Sequence, residues 1–262
     1  TTVTVNNNFA NSGTINFTSG ATLICNGVFE NSSAINPAYT ESHFFVNEFN
    51  TSKPVTQNET NSTFTVKKSL TDTSVGSSYQ TVTADFSSEN TVIISAGSSS
   101  IVALNESGAG TGKTLKIESG NITSVTYSET GAALVINNSP EIGTLTMNAS
   151  SETLTVNSSP VIGTLTMNAP EGTLTVNGTP KISSISLSGT ASDKLTVKGE
   201  GVITSTQTVS SAGDYLYFEN DSSPTVTGGN YFVIKNSTSS GTSLPDGWFL
   251  DDGFSFVWTG LS

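Results

Sequence analysis

The sequence predicts an all-β fold, a parallel β-helix with about twenty residues per coil, and three observations carry that reading. Near-identical phrases return at a fixed distance: "GAALVINNSPEIGTLTMNAS" from Gly131, "SETLTVNSSPVIGTLTMNAP" from Ser151 and "EGTLTVNGTPKISSISLSGT" from Glu171 align residue for residue. Inside each window apolar residues alternate with Thr or Ser, as in Leu154-x-Val156 and Leu165-x-Met167. That is the period of a strand with one buried face. Identical side chains also fall into columns, among them Leu134, Leu154 and Leu174, Asn137, Asn157 and Asn177, and Pro140, Pro160 and Pro180. Antiparallel hairpins of the same length give equivalent residues no reason to meet. In a coil, each residue lies about 4.8 Å over its repeat partner, so like side chains pack and Asn amides bond from turn to turn.

Taken in order, residues 1–35 form N-terminal coils, because "TVTVNNNFANSGTI" from Thr2 returns as "TLICNGVFENSSAI" from Thr22. Phe9 maps on Phe29, Asn11 on Asn31 and Ile15 on Ile35. Cys25 maps on Val5, an inward position, and reads as a small buried apolar side chain. As the single cysteine it allows no intramolecular disulfide. Residues 36–90 blur the period with "YTESHFFVNEFNTSKP" and "TQNETNSTFTVKKSL". Irregular coils carrying a loop excursion are expected there, with a separate small domain as the alternative. Residues 91–213 return to regular coils through "TVIIS", "IVAL", "LKI" and "ITSVTY". Residues 214–262 concentrate aromatics in "DYLYF", "NYFVIK" and "GWFLDDGFSFVW". An aromatic-rich cap over the open end of the stack is expected, or a junction with further protein. The whole reads as one continuous solenoid.

Composition excludes several function classes. The chain is 34% hydrophobic and only 11% charged; all nine basic residues are Lys, and the net charge is −12. Phosphate backbones and anionic bilayers repel such a chain, so nucleic acid is not expected as a partner. No apolar run reaches the roughly eighteen residues of a membrane span, so no membrane insertion by this chain is expected. The opening "TTVTVNNN" has neither the charged start nor the apolar run of a secretory leader, so any such leader is expected to be absent from this numbering.

Chemistry-bearing motifs are sparse. "SGAGTGKT", residues 107–114, has the look of a phosphate loop, but Ser107 stands where the pattern needs Gly and the following "LKIES" is strand-like. A Gly-rich turn is expected instead. Asp193, Asp214, Asp221 and Asp246 are dispersed, and the adjacent Asp251 and Asp252 would point to opposite faces of a strand. No carboxylate pair is placed for glycoside hydrolysis, and His43 is the only His. No catalytic residue, metal set or cofactor is therefore expected. A polysaccharide lyase or glycoside hydrolase stands as the enzymatic alternative, because folds of this shape host such enzymes. Ligand contact is expected on loops, which escape stacking constraints: Tyr39, His43, Phe44, Phe45, Phe49 and Trp248 are the candidates. Thr144, Thr146, Thr164 and Thr166 form one outward T-x-T column, and Thr153, Thr155, Thr173 and Thr175 another. Such ladders resemble the ice-contacting face of some antifreeze proteins, although Thr is also the ordinary polar residue of exposed strands.

The stretch "NNNFANSGTINFTSGATLICNGVFENSSAI" resembles repeats of filamentous-haemagglutinin-like and autotransporter-passenger surface proteins of bacteria. The ending "FSFVWTGLS" is similar to the opening of "WTG" units in large bacterial surface repeat proteins. The resemblance implies a right-handed, pectate-lyase-like β-helix. It also implies a fragment of a larger exported protein, secreted or at the cell surface and adhesin-like, whose partner is a glycan or a host surface protein. It transfers no functional residue and carries no oligomeric state.

Overall fold

Branched and aromatic side chains alternating with Thr and Ser favour extended backbone, since they pack on a pleated, half-buried surface. The computed structural model describes residues 1–36, 41–57, 59, 61–108, 110–128, 130–149, 152–167, 172–187, 194–198, 202–204, 215–218, 225–227, 233–234 and 249–250. Its strands are stacked in parallel as a β-solenoid at about twenty residues per turn, with no helix among the described residues. Two compact units divide the chain, Thr1–Thr126 with Pro140–Ile142, and Tyr127–Ser139 with Gly143–Ser262.

In the first unit, β1 (Thr2–Val5), β2 (Phe9–Asn11) and β3 (Ile15–Asn16) lie in parallel on β4 (Thr22–Asn31) and β5 (Ile35–Asn36). The partners are Val5 with Cys25, Phe9 with Phe29 and Ile15 with Ile35, as the repeat predicts. Cys25 is buried. The segment expected to hold irregular coils with a loop excursion contains β6 (His43–Thr51), β7 (Thr56–Gln57), β8 (Thr63–Asp72) and β9 (Ser78–Asp85). Here β6 pairs in parallel with β4 and with β8, in the columns Leu23–Phe44–Phe64 and Phe29–Phe49–Leu70. Beyond them, β10 (Thr91–Ser107) pairs in parallel with β9 and with β11 (Thr114–Tyr127), through Val82–Leu104–Val125.

The blurred period has a physical source. Glu48 partners Ser69 and Ser69 partners Ile93, spacings of 21 and 24 where Phe9 and Phe29 are 20 apart. One extra residue sits in β8 as a bulge at Lys67 and Lys68, opposite Asn47 between Val46 and Glu48. The rest fill corners such as the bend at 87–90. Extra residues widen a turn of the coil without breaking its ladder.

The interior of this unit is an aromatic column. Phe29, Phe44, Phe49, Phe64 and Tyr79 have no exposed surface. Phe44 stacks on Phe64 at 5.0 Å between centroids, and Phe64 meets Phe49 at 4.8 Å and Tyr79 at 5.4 Å. A second buried column is polar. The Asn11 amide donates to Asn31 Oδ1 at 2.7 Å, and the Asn31 amide donates to Thr51 Oγ1 at 2.9 Å. Thr51 partners Asp72 in the next turn. The Asp72 carboxylate, 2% exposed, accepts four hydrogen bonds: Ser74 N–H at 2.8 Å, Ser74 Oγ at 2.6 Å, Tyr79 O–H at 2.9 Å and Ser99 Oγ at 3.0 Å. It pins the corner after β8 to the two following strands. At Gly97, with φ +57°, an added Cβ would meet the Asp72 carbonyl oxygen at 2.6 Å, so this position admits only Gly.

In the second unit the twenty-residue columns hold. Following β12 (Ala133–Ile136) and β13 (Glu141–Met147) come β14 (Thr153–Val156), β15 (Val161–Met167), β16 (Gly172–Val176) and β17 (Lys181–Leu187). Leu134 lies over Leu154 and Leu154 over Leu174, all buried; Ile162 lies over Ile182. Outside, the Asn157 amide donates to Asn137 Oδ1 at 2.8 Å, and Asn177 donates to Asn157 Oδ1 at 2.9 Å. These are the stacked amides expected from the columns. The corner after β14 passes so close to the next that a Cβ on Gly178 would run into the Ser158 carbonyl. Parallel pairing goes on through β18 (Lys194–Lys198), β19 (Val202–Thr204), β20 (Tyr215–Phe218) and β21 (Thr225–Thr227), with Leu195 on Leu216 and Ile203 on Val226. A short pair, β22 (Val233–Ile234) with β23 (Phe249–Leu250), is also parallel. The aromatic segment thus carries coil-like pairing of its own.

The Asn ladder is exposed, so its contribution is modest. Asn157→Ala removes one bond given and one received and is expected to cost about 1 kcal/mol in the unfolding midpoint. A midpoint equal to the parent's would show that the ladder decorates the coil without holding it.

Candidate functional site

Four of the six residues expected to offer ligand contact on a loop, His43, Phe44, Phe45 and Phe49, lie instead on strand β6, whose alternation separates them. Phe44 and Phe49 point inward with no exposed surface, so neither can touch a ligand; they are core residues. The correction has a simple cause. "HFFV" reads as a loop only when its period is lost, yet Phe44 stands in the same column as Leu23 and Phe64. His43 and Phe45 face outward. The His43 ring nitrogen Nδ1 is 2.9 Å from Thr63 Oγ1, and Phe45 is 36% exposed. Tyr39 and Trp248 lie outside the described residues.

The Thr columns are placed as expected where they are described. Thr153 partners Thr173 and Thr155 partners Thr175, while Thr164 and Thr166 partner Ser184 and Ser186. Thr144 and Thr146 lie on β13, which pairs with β15. All the columns are short. Thr153 and Thr155 meet Ala133 and Val135 on one side, and Thr175 meets Lys198 on the other.

A concave feature appears where the coil departs from twenty residues. The bulge in β8 turns Lys68 outward, and its ammonium donates to Glu48 Oε1 at 2.7 Å. This hydrogen bond and the Glu48 charge hold the Lys68 pKa above its ordinary value, with Glu89 adding to the pull. Facing Lys68 across the in-register pair Ser69 and Ile93 is the 87–90 bend with Thr91. Together they line an open groove of about 390 Å³. The bend is held from beneath. Lys113 Nζ donates to the Phe86 carbonyl at 3.1 Å, the Glu89 carbonyl at 3.0 Å and Asn90 Oδ1 at 2.9 Å, and Ser87 N–H donates to Asp85 Oδ1 at 2.8 Å.

Lys113 is the lysine of the phosphate-loop-like "SGAGTGKT". Its three donors are taken by that bend, and the segment turns through positive φ at Gly108, Gly110 and Gly112 into strand β11. It is a turn, and its lysine braces a neighbouring turn of the coil. Sequence reasoning missed the groove because its residues share no motif. The signal that could have found it is the pair of lengthened spacings around Lys68 and Glu89.

Among the described residues no group of three His, Cys, Asp or Glu side chains gathers to hold a metal ion, and no helix is long and apolar enough to cross a membrane. The fold defines the chain as a repetitive parallel β-solenoid. Comparison with protein-family models, with curated proteins and with solved structures finds no match.

Proposed function

We propose that this chain is a structural, adhesin-like part of a larger exported bacterial surface protein, and that it displays a binding surface for a glycan or host surface protein. The observation that carries the reading is the parallel ladder itself. Backbone bonds run from turn to turn, as from Asn157 N–H to the Ile136 carbonyl at 3.0 Å and from Asn177 N–H to the Val156 carbonyl at 2.8 Å. Such a stack resists bending within each unit and leaves its outer face free for recognition. The resemblance of residues 6–35 to bacterial surface repeats supports the same reading. Beads coated with the chain should attach to host cells or to glycan-coated slides more than albumin-coated beads do. Equal attachment would remove the adhesin-like role.

The register of Thr153 and Thr155 on Thr173 and Thr175 favours ice contact as a second reading. A flat ice face needs such columns sustained over many turns, whereas Ala133 and Val135 close this one on one side, and on the other Lys198 ends one column and Tyr217, after Thr196, the other. The expected result is no thermal hysteresis at millimolar protein; a measurable gap between melting and freezing would reverse the order of the two readings.

A further inference from the structure

We propose that the groove between Lys68 and the 87–90 bend binds one uncharged pyranose unit of a glycan. The inference rests on the display reading and gives it a place. Regular turns of this solenoid cannot make a concave site, because each side chain is copied by the one above it. The groove exists only because β8 carries an extra residue and the next corner is lengthened. Bulges commonly mark sites where a side chain is re-aimed. The wall opposite Lys68 is also built in advance, since three bonds from Lys113 fix the bend before any ligand arrives. A pre-formed wall spares the ordering cost that weakens binding by free loops.

The lining selects the ligand class. Ser69, Ser88 and Thr91 offer hydroxyls, each both donor and acceptor, which suits the hydroxyl rim of a sugar. Ile93, half-buried on the floor, offers an apolar surface for the C–H face of the ring. The volume of about 390 Å³ lies within the range of about 300–1,000 Å³ usual for small-ligand sites. Charge rules against an acidic sugar. The one lysine lining the groove, Lys68, is already paired with Glu48, Glu89 also lines it, and the chain carries −12. A uronate would meet the Glu89 carboxylate there, with the Lys113 ammonium turned to the oxygens of the bend.

The test is an NMR titration of the ¹⁵N-labelled full chain with neutral gluco-, galacto- and manno-oligosaccharides and, separately, with polygalacturonate. Glu89→Ala and Thr91→Arg are the groove variants, and Thr155→Arg, on the other unit, is the control. Circular dichroism checks that each is folded. A neutral sugar should shift amides at Lys68, Ser69 and 88–93. Glu89→Ala should weaken binding about tenfold, Thr91→Arg should abolish it, and Thr155→Arg should leave it unchanged. Shifts clustered elsewhere, groove variants that bind like the parent, stronger binding of polygalacturonate, or no binding of any neutral sugar would each overturn the proposal. The bead assay run on the same variants separates the two readings. Attachment that survives Thr91→Arg leaves display standing without this groove, and attachment absent from the parent removes display itself.

Discussion

Asp72→Ala is expected to lower the stability of the first unit by about 3–5 kcal/mol, the largest effect of any single polar substitution in the described residues. The carboxylate is almost wholly buried and receives the Ser74 N–H, the Ser74 hydroxyl, the Tyr79 phenol and the Ser99 hydroxyl. Alanine leaves all four donors buried; the Ser77 hydroxyl, 2.8 Å from the Ser74 hydroxyl and also bonded to the Tyr79 phenol, is one group that cannot replace two carboxylate oxygens. Asp72→Asn keeps the shape and the acceptor facing Ser74 but turns its amide toward Tyr79 and Ser99, whose hydroxyls can reverse and accept. Its cost should be smaller, about 1–2 kcal/mol. Denaturant midpoints give the order, and hydrogen exchange at residues 64–104 shows whether the loss is local. A midpoint for Asp72→Ala within about 0.5 kcal/mol of the parent would mean the corner is held by packing alone.

The same cluster makes a pH prediction. Tyr79 has its pKa raised well above 10.0, first by burial and then by the charge and hydrogen bond of Asp72. The folded chain keeps the phenol proton where the unfolded chain releases it. The resulting stability is fully present below about pH 10 and is lost as pH climbs from there toward the folded pKa. Tyr79→Phe should flatten this alkaline loss relative to the parent, while costing one hydrogen bond at neutral pH. An alkaline limb of unchanged slope in Tyr79→Phe would assign the loss to other groups.

The architecture was legible because a solenoid writes its geometry into the sequence as a distance. Leu134, Leu154 and Leu174 share a column in the text and in the fold, and so do Asn137, Asn157 and Asn177. Legibility failed where the distance changed and where the side chains in a column changed identity. Phe44 stands 21 residues after Leu23 and Ile93 stands 24 after Ser69, so a fixed twenty misses both pairs, while Phe49 and Phe64 still stand twenty after Phe29 and Phe44 inside a polar, aromatic-rich text that masks the repeat. The coil tolerates such insertions in corners and bulges, where an extra residue leaves the neighbouring ladder bonds intact. Inward-facing residues there keep the apolar character of their column but change identity, from Leu23 to Phe44 to Phe64 to Val82. Asp72 was hidden for a related reason. Its partners Ser74 and Tyr79 come from the corner and strand that follow it and Ser99 from the next turn, and no local motif announces a buried carboxylate served by all three. The groove shares this origin, being made of residues that the period displaced.

Phe64→Ala tests the corrected placement of the aromatic segment, and its expected cost is about 3–5 kcal/mol. Phe64 has no exposed surface and touches Phe44, Phe49 and Tyr79 at centroid distances of 5.0, 4.8 and 5.4 Å. Its removal forfeits the burial of the ring and three aromatic contacts, and leaves a void that stacked neighbours cannot close without breaking their own register. Phe45→Ala, one residue from Phe44 but on the outer face and 36% exposed, should cost less than about 1 kcal/mol. The contrast is the informative quantity. Were residues 43–49 a contact loop, Phe44→Ala and Phe45→Ala would be alike in stability and both would weaken ligand binding. On strand β6 they differ in stability by about 2 kcal/mol or more, and Phe44→Ala acts only by loosening the coil. Equal midpoints for the two variants would return the segment to the surface and remove the column of rings from the core.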